Sequence, residues 1–83
     1  MKGSVIEINQ RKGMILVDTG DSEYSLIELL GDYDLEIGDL LEGNLQSLGG
    51  EKVMILPSRR EMHTFIQDIH MTKSHGLKRI GER

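Results

Sequence analysis

Three histidines, a basic C-terminal third and a knot of acids around a glycine are the parts of this 83-residue chain whose chemistry invites a function. His63 and His70 would share one face of a helix, where with His75 they could approach a metal. On a strand, the same two point to opposite faces. No cysteine and no tight carboxylate spacing completes a zinc-type set. Asp18, Asp21 and Glu23 bracket Gly20, but a calcium loop needs a longer ligand series, and Asp is common in turns for its own backbone chemistry. Nucleophile–base orders, phosphate-cradling glycine loops and paired carboxylates do not occur at working spacings. The expectation is a protein that is not an enzyme and carries no metal or other cofactor.

Charge is unevenly spread. Residues 1–50 sum to −7 and residues 51–83 to +3, for a net −4. An acidic body is a poor general phosphate binder, because nucleic-acid affinity rests largely on neutralised phosphates. Arg59 and Arg60, with Lys73, Lys78 and Arg79, are the local candidates for phosphate contact. Cysteine is absent, no apolar h-region opens the chain, and no window approaches the ~20 apolar residues of a membrane span. A cytoplasmic protein without membrane contact is expected.

The elements that would position these residues are short strands. Lys2–Asn9 and Met14–Asp18 flank the polar turn Asn9-Gln10-Arg11-Lys12-Gly13, the pattern of a β-hairpin. Thr19-Gly20-Asp21-Ser22 turns into a third strand, Glu23–Leu29, whose apolar run also fits one helical turn. Gly38-Asp39 leads to a fourth strand, Leu40–Ser47. Gly49-Gly50 suggests a hairpin into a fifth, Lys52–Leu56, closed by Pro57. Five strands with regular turn signals predict an all-β barrel or sandwich.

Residues 58–72 read two ways. Ser58-Arg59-Arg60-Glu61 fits a helix capping box, while His63 to Met71 alternate as a strand does. Gln67-Asp68 sits between isoleucines as a polar pair that fixes register or belongs to a ligand site. The expected organisation is a barrel core over 1–57, an extra strand or helix packing on it over 58–72, and a flexible or shortly helical tail over 73–83.

Met1-Lys2-Gly3, Val5, Asn9 and Lys12-Gly13 stand where the cold-shock domain, an oligonucleotide-binding (OB) barrel, places the same residues in its opening. The chain resembles that family position by position over 1–17, and more loosely in strand order to about residue 47. The resemblance implies a five-stranded OB-like barrel that binds single-stranded RNA or DNA. On that reading Lys2, Arg11 and Lys12 contact phosphate, Tyr24 stacks on bases, and Met14 and Leu16 make apolar contacts; Arg59 and Arg60, outside the resemblance, would add charge if they lie alongside the same face. The departures are large: Glu7, Met14 and Leu16 occupy positions where the family carries rings. Each lost stacking ring removes about 1–3 kcal/mol.

An aliphatic face of Ile6, Met14 and Leu16 needs a cover. Residues 58–72 or another protein chain would supply it, unless register turns these side chains into the barrel. The rival expectation is therefore a protein-interaction module or homodimer that uses Ile6, Met14 and Leu16.

Overall fold

The structure is a computed structural model and describes residues 1–82. Six antiparallel strands form it: β1 (Lys2–Asn9), β2 (Met14–Gly20), β3 (Glu23–Leu29), β4 (Leu40–Glu42), β5 (Gly49–Leu56) and β6 (Arg60–Met71). A helix, α1 (Lys73–Gly81), follows β6 after the single residue Thr72. The strands close into a barrel in the order β1-β2-β3-β6-β5-β4, with β4 returning to β1. The barrel thus has six staves, one more than the sequence predicts. Residues 58–72 form the Ser58-Arg59 turn and then β6, a stave seated between β3 and β5 rather than an addition to a finished barrel.

Period-two alternation builds the interior. Val5, Ile15, Val17, Ile27, Val53, Ile55, Met62 and Ile66 all point into one buried cluster. The buried polar side chains in it are bonded: Ser25 Oγ donates to the Leu45 carbonyl and Thr64 Oγ1 to that of Glu51, each at 2.7 Å. At the β2–β3 turn Asp21 and Ser22 have φ of 55° and 60°, the left-handed pair that suits a tight hairpin.

The fourth strand departs from expectation. It stops at Glu42, and the Gly49-Gly50 pair lies within β5 instead of in a turn. Leu45, expected on that strand, is fully buried in the core, and Gln46 Nε2 donates to Thr19 Oγ1 at 3.1 Å. One apolar residue plugging the barrel end outweighs continued pairing over residues 43–47.

Local insertions in the ladders set the outer faces. The register shifts between Val5 and Glu7 in β1, and twice in β3–β6 between Tyr24 and Ile27. The β6 shifts place Met71, unlike Met62 and Ile66, outside the barrel. Such bulges re-aim the side chains that follow them.

Candidate functional site

On the outer side of β1, β2 and β3 the alternation that buries Ile15 and Val17 leaves Leu16, Leu26, Met14 and Ile6 facing out. Tyr24 and Met71 join them. This is the aliphatic face that the sequence leaves in need of a cover. The cover that the chain itself supplies is α1, with Met71 at the end of β6 beside it. Ile80 lies on Leu16, Leu26 and Met71 in a second core outside the barrel. Gly76 comes so close that a Cβ there would sit 2.7 Å from Leu16 Cδ1.

The ends of α1 are tied down. Thr72 Oγ1 accepts from the His75 amide at 3.2 Å as the N-cap. At the other end the β1–β2 turn supplies two donors: Asn9 Nδ2 to the Ile80 carbonyl at 2.7 Å, and Lys12 Nζ to the Glu82 carbonyl. Helix ends leave carbonyls without partners and carry partial negative charge, so a lysine and an amide there satisfy both needs. Arg79 Nη1 bonds Asp68 Oδ2 at 2.7 Å and its Nε bonds Glu82 Oε1 at 3.2 Å. Replacing Thr72 by alanine is expected to cost about 1 kcal/mol through loss of the cap. Urea denaturation of the variant checks it.

Of the two readings of the tail, flexible or shortly helical, the structure has the short helix over 73–81, and it is docked on the barrel. Its low overall hydropathy conceals the reason, since docking uses only Gly76 and Ile80 as buried residues. A Thr before a polar run and a Gly/Ile pair four residues apart are the signals that could have found it.

The predicted contact residues do not form one surface. Leu16 is 0% exposed beneath Gly76, so it is not an apolar contact for an incoming base or partner. Met14 and Tyr24 are half-buried at the margin of the same cluster, as is Ile6. Lys12 is committed to the helix end, and its neighbour Arg11 is exposed. Lys2 begins β1, pairs with Glu42, and lies seven residues from the turn, at roughly 3.3 Å per residue. Arg59 and Arg60 sit at the β5–β6 turn, at the opposite end of the twelve-residue β6 from Lys73.

The remaining candidates have local partners. His70 Nδ1 is 2.7 Å from Glu23 Oε1. His63 lies across from Lys52 on β5. Gln67 Nε2 donates to Glu28 Oε1 at 2.7 Å, so the Gln67-Asp68 pair ties β6 to β3 and to α1. Among the described residues no three His, Asp or Glu gather as a metal site, and no helix is long and apolar enough to cross a membrane.

Two concave regions flank the upper half of β1, at the end of the barrel nearer the β1–β2 turn. One, of about 320 Å³, opens at the barrel mouth over Ile8, Leu29, Tyr33 and Leu35. The other, of about 540 Å³, lies between β1 and α1 over Ile8, Leu77 and Ile80. No known protein family, curated protein or solved structure matches this chain.

Proposed function

We propose that this chain is a small, non-enzymatic, cytoplasmic binding module on an OB-like barrel, and that it recognises protein rather than single-stranded nucleic acid. The OB-like reading is supported by the opening residues Met1-Lys2-Gly3, Val5, Asn9 and Lys12-Gly13, which resemble those of cold-shock barrels, and by the closed antiparallel barrel. The choice of ligand rests on one observation. The β1–β3 face, where bases would stack, is roofed by α1 with Leu16 fully buried.

The other terms agree. Stacking onto aromatic rings supplies about 1–3 kcal/mol per base, and the rings are replaced by Glu7, Met14 and Leu16. Of the three phosphate candidates at the hairpin, Lys12 holds the helix end, and the net charge of −4 repels a polyanion.

Fluorescence anisotropy with mixed-sequence single-stranded RNA and DNA at low salt tests this reading. The expected result is no saturation below about 100 µM, the weak end of non-specific binding. Saturable micromolar binding by the intact chain would overturn it.

A further inference from the structure

The barrel is closed unevenly at one stave. β4 pairs with β1 only at Lys2, Gly3 and Ser4. Beyond it, Val5 exchanges bonds with the loop, its amide donating to the Asp39 carbonyl at 2.9 Å and its carbonyl accepting from Gly38 at 2.7 Å. Past that point no strand lies on this side of β1 among the described residues.

Ile8, whose side chain packs on the barrel core, is the residue whose backbone faces the open side. The Gly13 carbonyl accepts from Leu29 on β3, so alternate residues of β2, including Ile15, direct their backbone groups to β3. Ile15 stands opposite Ile8, so Ile8 turns its amide and carbonyl away from β2, toward the open side. Its amide donates to the carboxylate of its own neighbour, Glu7 Oε1, at 3.1 Å. A side chain covering its own strand edge is a local device against uncontrolled pairing, and one that an incoming strand displaces.

The surroundings suit such a strand. Residues of an added strand alternate between the two sides of the sheet. Here one side offers the barrel mouth over Leu29, Tyr33 and Leu35, and the other offers the groove of Leu77 and Ile80. Leu77 is 40% exposed, and Ile37, next to Gly38, is 63% exposed.

We propose that the open edge of β1 at Ile8 docks an extended, basic polypeptide segment, which pairs with Ile8 and lays alternate apolar side chains into the two grooves. The proposal rests on the reading of protein recognition and names its partner class. The charge preference comes from Glu7 and from the β3–β4 loop, with Asp32, Asp34, Glu36 and Asp39, which outnumber the exposed cations on the helix side, Arg11, Lys12 and Lys78. The same acids disfavour a second copy, which would bring two such loops together. Strand addition draws affinity from the main chain and selectivity from flanking pockets, and both are present.

The test is a titration of the isotope-labelled full chain with a synthetic peptide whose run of consecutive valines, which reaches both sides of the sheet, is flanked by lysines. Its twin is N-methylated on every second amide. Expected are NMR shifts confined to Glu7–Arg11, Tyr33 and Leu77, and Ile8 amide exchange slowed at least about tenfold. The N-methylated twin, a valine–glutamate peptide and the variant Leu77→Ser should each weaken binding by about tenfold. Shifts elsewhere, an N-methylated twin that binds equally well, or Ile8 protection that grows with protein concentration alone would overturn the proposal. The oligonucleotide titration separates the two failures. Nucleic-acid binding removes the functional reading, whereas absence of both oligonucleotide and peptide binding removes only the edge site.

Discussion

Replacing Gly76 by leucine should lift α1 from the barrel. A Cβ at this position already falls 2.7 Å from Leu16 Cδ1 and 3.0 Å from its Cδ2, and Leu16 has no free space to retreat into. Losing the dock uncovers Leu16, Leu26, Met71 and Ile80, whose full burial is worth about 1.5–3 kcal/mol each. Neighbouring groups relax over part of that surface, and leucine is a better helix former than glycine by somewhat less than the roughly 0.8–1 kcal/mol that separates alanine from glycine. The net expectation is a loss of roughly 2–4 kcal/mol in unfolding free energy, with faster trypsin cleavage after Lys73 and Lys78. A nine-residue helix is marginal alone, so once undocked it should also unwind. Denaturant melts paired with limited proteolysis read both. Unchanged stability together with unchanged cleavage would mean that the helix does not sit on Leu16.

Gly3→Ala is expected to be nearly as costly by a different route. Gly3 lies within β1 and is buried. A methyl group there would meet Val17 Cγ1 at 2.7 Å, the Asp18 carbonyl oxygen at 2.8 Å and Leu45 Cδ1 at 2.9 Å. Val17 and Leu45 are fully buried and the carbonyl is main chain, so none of the three yields easily. Overpacking of this kind costs about 1–3 kcal/mol, and the upper end applies here. Thermal unfolding by circular dichroism measures it, and a melting temperature equal to that of the parent chain would contradict the packing.

The first three strands were legible because their signals are local. Lys2–Asn9 and Glu23–Leu29 match to the residue, and β2 runs two residues past the expected Asp18, since alternation and turn chemistry act within a few positions. β6 was ambiguous because His63–Met71 carries both periods, and pairing with two neighbours decides between them. The shortening of β4 depends on Leu45 finding the barrel end, which no local pattern announces. The need for a cover over Ile6, Met14 and Leu16 was readable from side-chain type. The identity of the cover was not, because α1 gains its stability from docking rather than from its own composition. The open edge at Ile8 was equally out of reach, since it depends on where a different strand stops.

The position of β6 in the sequence bears on how the chain acquires its shape. The stave that seals the cylinder follows the other five in sequence, and it must find β3 across some forty intervening residues, with pairs such as Tyr24 to Met71 and Glu28 to Phe65. Loop closure over that span comes before any reward, so until β6 is seated the sheet exposes two unpaired flanks, on β3 and on β5. Long-range closure of this kind slows folding, and an unclosed sheet with two bare edges is prone to stick to its neighbours.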